Sequence, residues 1–171
     1  MNIAVLAGGL STERNISFLS GVNICRALRE RGHRAAVVDL YMGFESLDVA
    51  PKDAFGVPDG LVSTIPAGRE EPDLKAVRRS RADQSGSIFG KGVLEFCAAA
   101  DIVFLALHGQ CGEDGRIQAA FDLMGIPYTG ADYCSSAMAM DKAITKVMME
   151  SAGILTPKWQ EFTYNAADIP A

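Results

Sequence analysis

The sequence predicts an α/β protein: a parallel, doubly wound, Rossmann-like sheet with helices on both faces. Three observations lead there. Two short runs are apolar at every position, Ile3-Ala4-Val5-Leu6-Ala7 and Ile102-Val103-Phe104-Leu105-Ala106-Leu107, as strands need when helices cover both faces of a sheet. Each gives way to a glycine-rich turn, Gly8-Gly9 after the first and the block His108 to Gly115 after the second. Segments of helical spacing alternate with these runs, the pattern of repeated βαβ units rather than of hairpins.

In chain order, residues 2 to 7 make the first strand. From about Ile16 to Arg31, Phe18, Val22, Cys25 and Leu28 recur at three- and four-residue spacing, which places them on one face of a helix. Gly32 follows its last turn, where Arg29 and Arg31 suit the negative end of the helix dipole. Ala35 to Leu40 resumes strand character. From 41 to 90 periodicity fades among Pro51, Pro58, Pro66 and Pro72, and only Pro72 to about Arg81 is weakly helical. Most connections run about 4–6 residues, so this one is read as a flap, an insertion or a mobile segment. Its charges, Glu70, Glu71, Asp73, Lys75, Arg78, Arg79 and Arg81, are read as a solvated face.

Order returns with a helix from about Lys91 to Ala99, the strand 102 to 107, the glycine block, a helix from Arg116 to Met124 closed by Gly125, and a short strand at Ile126-Pro127-Tyr128-Thr129. A further helical stretch is expected from about Tyr133 or Ser135 through Ala152, with Met138 and Met140 as core filler and Gly153 and Pro157 marking its end. Lys158 to Tyr164 reads as the start of another strand. These elements divide the chain into residues 1–132, one sheet domain carrying the long connection 41–90, and residues 133–171, the opening of a second unit.

The composition limits the function. With 171 residues, 49% of them apolar, and a mean hydropathy of +0.12, the chain can bury a substantial core. Net charge is −5 and the pI is near 5.0, with basic residues dispersed, which argues against nucleic acid as a partner and for small polar ligands. The cysteines Cys25, Cys97, Cys111 and Cys134 form no CxxC pair, so reduced thiols are expected and a metal site is not. The amino terminus has no basic segment and is too short to cross a membrane, which gives a cytoplasmic expectation.

The turn Gly8-Gly9-Leu10-Ser11-Thr12-Glu13-Arg14 stands where nucleotide folds carry a phosphate loop, and Asp39 stands where a ribose-binding acid could. The dinucleotide fingerprint, however, needs glycine at its first, third and sixth positions, held here by Gly8, Leu10 and Glu13, and a carboxylate would repel pyrophosphate. Glu13 suits a cation such as an amino-acid ammonium, or simply complements the dipole of the helix that follows. His108, just past a buried strand, can donate to a developing anion or a phosphate. Glu113 either fixes its tautomer or faces solvent, while Asp114 precedes a helix and can cap it. Gly109, Gly112 and Gly115 fit positive φ or close backbone approach. Lys142, in Met138-Ala139-Met140-Asp141-Lys142, can bring a point charge to a phosphate or remain a solvated cation, and Lys146 lies one turn on.

Three blocks in this order resemble the amino-terminal part of the D-alanine–D-alanine ligases, ATP-grasp enzymes of peptidoglycan and hence cell-wall synthesis. They are Gly8 to Arg14 with Ser17, then His108 to Gly115 with Gln118, then Gly125 to Gly130 leading into Met140-Asp141-Lys142 and Thr156-Pro157. The resemblance implies a pre-ATP-grasp sheet and the start of the ATP-grasp domain. It also implies ATP-dependent phosphorylation of one D-alanine carboxyl, assisted by magnesium, and attack on the acyl phosphate by the amine of a second D-alanine. On that footing Glu13 would hold the first ammonium, His108 would lie beside the reacting carboxyl, and Lys142 would contact nucleotide phosphate. Gly8, Gly9, Gly109, Gly112, Glu113, Asp114 and Gly115 would shape the loops. Asn15 departs from the acid more usual in the family. The adenine pocket, the magnesium ligands and the second D-alanine site would lie past Ala171, so the chain alone is expected to be inactive, and a homodimer is implied for the parent. Ligases joining D-alanine to D-lactate or D-serine fit the same blocks. A non-catalytic small-ligand sensor is the reading from another class, disfavoured because glycines replace an acidic cluster at the first strand end.

Overall fold

The computed structural model describes residues 1–45, 47–57 and 71–165. Strand β1 (Asn2–Ala7) is followed by α1 (Arg14–Glu30) and β2 (Arg34–Asp39), and the long connection carries a 3-10 turn (Pro51–Gly56) and α2 (Leu74–Ser80). Then come α3 (Val93–Ala98), β3 (Ile102–Leu105), α4 (Arg116–Met124), α5 (Tyr133–Met140) and α6 (Lys142–Ser151). The strands are parallel in the order β2-β1-β3. Beyond β3, Tyr128 bridges to Val103, with Val103 N donating to Pro127 O at 2.8 Å and Thr129 N to Val103 O at 3.0 Å. The expected strand at 126–129 is therefore a single parallel bridge.

Alternation along β1 sorts the core into two layers, as a period of two requires. Ile3, Val5 and Ala7 pack with Phe18 and Cys25 of α1, whereas Ala4 and Leu6 face Val93, Phe96, Cys97, Ile117 and Phe121 on the other side. Phe96 is stacked on Phe55 at 4.8 Å between centroids and meets Phe44 edge-on at 5.5 Å. Burial of such a side chain stabilises the fold by about 1.5–3 kcal/mol. Gly21 brings α1 onto the sheet: a β-carbon there would sit 2.8 Å from that of Ala7.

The connection after β2 returns to where it left. Gly90 N donates to Leu40 O and Phe44 N to Lys91 O, each at 2.8 Å, so its ends are clamped beside the sheet. Part of it, residues 58–70 with Pro58, Pro66 and Glu70, lies outside the described residues. The 3-10 turn, entered through Pro51, inserts Ala54 and Phe55 into the core. Arg78 and Arg79 are exposed as expected, but Arg81 overturns its surface reading. It is 1% exposed, its guanidinium donates to the carbonyls of Tyr41, Ser85 and Ser87, its Nε donates to Asp83 O, and it lies 4.1 Å over the Tyr41 ring. Acceptors on the carbonyl-rich turn that follows replace the water this cation would otherwise need.

Three more expectations are corrected after residue 130. The helical stretch is broken at Asp141, whose extended backbone (φ −84°, ψ 105°) ends α5 and whose carboxylate caps Ile144 N at 3.0 Å to begin α6. Residues 158–164 form no strand, since no ladder partner stands beside them among the described residues. Met140 is 45% exposed and Met138 only half-buried, so neither fills a core. No helix among the described residues is long and apolar enough to cross a membrane.

Candidate active site

Placing β1 between β2 and β3 makes the gap between β1 and β3 the point where the chain changes direction across the sheet, and ligands of open α/β sheets bind beyond the carboxyl ends of strands at such a point. The turn after β1 carries Glu13 and the loop after β3 carries His108.

Ser17 of α1 ties both strand ends together. Its hydroxyl accepts from Gly8 N at 2.8 Å and donates to Ala106 O at 2.7 Å, fully buried. On the β2 side, Arg14 forms a largely buried ion pair with Asp39 through Nη2 and Oδ2 and donates to Gly9 O at 2.6 Å. Asp39 also accepts from Gly9 N and Tyr41 N. Its acceptor capacity is spent on holding the glycine turn, which removes it as a ribose ligand.

The loop His108 to Gly115 is built from its own carboxylates. Glu113 accepts from Gly109 N at 2.7 Å, while Asp114 accepts from Cys111 N at 3.0 Å and from Arg116 N at 3.2 Å, the latter a free donor in the first turn of α4. Asp114 thus fills the capping role expected of it. Glu113 does not set the His108 tautomer; it faces solvent and closes the loop. Gly109 and Gly115 have φ of 71° and 83°, and at Gly112 a β-carbon would lie 2.4 Å from that of Leu107, so the three glycines meet both demands expected of them. Gln118, 5% exposed, donates to Gly112 O at 2.9 Å from below. Burial and the Asp114 charge push the Cys111 thiol up.

The two loops touch. A β-carbon on Gly109 would lie 2.5 Å from Ser11 Oγ and 3.0 Å from Glu13 Oε2, which puts the Glu13 carboxylate directly against the residue after His108. Glu13 also stands apart from the other acids at helix starts. Asp73, Asp132 and Asp141 each accept backbone N–H groups of the helix they begin, but Glu13, the N-cap of α1, makes no such bond. Its exposed carboxylate is not committed to capping. His108 is half-buried just past β3, with Nε2 3.2 Å from Ser20 Oγ of α1.

Glu13, Ser17 and Ser20 fall at i, i+4 and i+7, one face of α1. That polar stripe was the available signal for Ser20, and for the pinning role of Ser17, which reading by apolar periodicity passed over. Lys142 is not joined to this pair. It is exposed at the start of α6, in a cleft of about 430 Å³ with Asp141, Lys146, Trp159 and Glu161. Lys146 is occupied by Thr156 Oγ1 at 2.7 Å and Pro157 O at 3.3 Å.

Comparison with known proteins gives the family. Residues 2–131 match the family model for the D-ala D-ala ligase N-terminus. The D-alanine–D-alanine ligase of Lacticaseibacillus casei is 41% identical over 166 residues, which cover 95% of this chain and 45% of that protein. That of Pediococcus pentosaceus is 43% identical over 164 residues, covering 93% and 45%. A crystal structure of the Bacillus anthracis D-alanine–D-alanine ligase complexed with ATP superposes with a TM-score of 0.59 at 24% identity, covering 98% of this chain and 44% of that one. The chain thus spans less than half the length of the curated relatives it matches. It belongs to the D-alanine–D-alanine ligase family, of which it holds the N-terminal domain.

Proposed function

We propose that this chain supplies the site for the first D-alanine of an ATP-dependent D-alanine–D-alanine ligase, and that the observation carrying the reading is the uncommitted Glu13 carboxylate against the backbone next to His108. Glu13 binds the ammonium of the amino acid. The charge pairing favours the protonated amine, so the first D-alanine cannot act as nucleophile. His108 lies beside the carboxyl group and offers it a hydrogen bond. When bound, ATP supplies the phosphoryl group that activates this carboxyl. Lys142 fits a phosphate on its chemistry, an exposed ammonium at the first residue of the ten-residue helix α6. The Bacillus anthracis structure of like fold contains ATP.

On this reading residues 1–132 are the substrate-side domain and 133–171 lead into the ATP-grasp domain, so the chain by itself forms no dipeptide. Titration of the ¹⁵N-labelled chain with D-alanine, with L-alanine as control, tests the site. The expected result is weak, D-selective shifts of the amides from Gly9 to Glu13 and of His108 and Gly109, abolished by Glu13→Gln. Shifts confined to residues 133–165, or none at all, would overturn it.

A further inference from the structure

His108 has two ring nitrogens, and the proton it offers to a ligand depends on what holds the other. Nε2 faces Ser20 Oγ at 3.2 Å, and Nδ1 has no partner among the described residues. The Ser20 hydroxyl decides the direction of that bond. Helical serines commonly return their proton to a backbone carbonyl one turn back, as Ser80 does to Val77 O and Ser151 to Met148 O. Ser20 makes no such bond among the described residues, and its Oγ has no partner but His108.

We propose that Ser20 is a positioning residue that donates its hydroxyl proton to His108 Nε2, and so holds the neutral imidazole as the Nδ1–H tautomer with that N–H free for a ligand. In water the neutral ring favours the opposite tautomer, Nε2–H, so the protein must impose this one. The functional consequence rests on the reading of the site above: the N–H kept free is the donor offered to the substrate carboxyl. Because Ser20 stands on the same helix face as Glu13 and Ser17, one rigid element sets the ammonium ligand, both strand ends and the imidazole together.

The measurement is a long-range ¹H–¹⁵N correlation spectrum of the imidazoles in the full 171-residue chain, above the pH at which histidine is charged. The chain has two histidines, and His33 serves as the internal reference. The expected result is His108 as Nδ1–H in the unmodified chain, a swing of the population to Nε2–H in Ser20→Ala with His33 unmoved, and return to Nδ1–H in Ser20→Thr. His108 found as Nε2–H in the unmodified chain overturns the proposal with no variant needed, and so does an unchanged tautomer in a folded Ser20→Ala. Failure of D-alanine to shift Glu13 and His108 would instead overturn the substrate reading and leave the tautomer assignment standing.

Discussion

The mouth of the sheet and the segment 133–165 carry similar residues and use them in opposite ways. Around β1 and β3, polar groups are buried and paired: Ser17 is fully enclosed, and Arg14 and Asp39 neutralise each other beneath the glycine turn. In α5 and α6 no residue is buried, and Ile144, Val147 and Met148 each leave 45% or more of their surface exposed. Acids show the same contrast. Asp132 and Asp141 are spent on capping their own helices, whereas Glu13 is left out of the cap it occupies. The mouth of the sheet therefore holds the uncapped Glu13 carboxylate on largely paired structure, Gln118 Oε1 being the buried exception among the described residues, while the later helices are supported mainly by local bonds.

The contrast is broken most strongly at the ion pair. Arg14→Ala leaves the Asp39 carboxylate partly buried without its cation, and removing one partner of a buried pair costs about 3–5 kcal/mol. Backbone donation from Gly9 and Tyr41 to Asp39 places this case at the lower end of that range. Urea unfolding followed by circular dichroism should show a lower midpoint with an unchanged slope. An unchanged midpoint would mean the pair contributes nothing to holding the turn.

A smaller, local effect is expected at the break between α5 and α6. Asp141→Ala removes the acceptor for Ile144 N, and loss of an N-cap costs about 1 kcal/mol. Because α6 buries nothing, the loss should appear as faster amide exchange over 142–151 without a shift in the global unfolding midpoint. A fall in the midpoint would show that α6 is coupled to the sheet core after all.

These differences also explain what could be read from the chain. The first strand announced itself because both its faces are covered, every residue from Ile3 to Ala7 being buried, whereas β3 buries only Val103 fully and was legible from its apolar run alone. The glycines at 109, 112 and 115 were legible because each backbone position excludes a side chain for a definite reason. Arg81 was not legible: its acceptors are chiefly main-chain carbonyls, with the Ser85 hydroxyl beside them, and no side-chain pattern encodes those carbonyls. The helix break at Asp141 was hidden because its neighbours, Met140 and Lys142, are good helix formers and only the cap geometry reveals the stop. Ser20 lay in plain view on a polar stripe, but the partner that gives it meaning is 88 residues away in sequence.

The finest test of the contrast is acidification. Hydrogen bonds from the backbone N–H of Ser135, then from its hydroxyl, hold the Asp132 carboxyl below its ordinary value of 3.8. A depressed folded-state value means the cap's contribution is complete above the unfolded value and is lost as pH falls through the lower, folded one. Protection of the Cys134 and Ser135 amides, corrected for intrinsic exchange, should therefore hold at pH 5 and decline below 3.8. The first turn of α1 provides the comparison, since Glu13 accepts no cap bond whose loss could loosen it. Equal declines in both helices would show that Glu13 is serving its own helix, and would remove the ground for assigning its charge to a substrate.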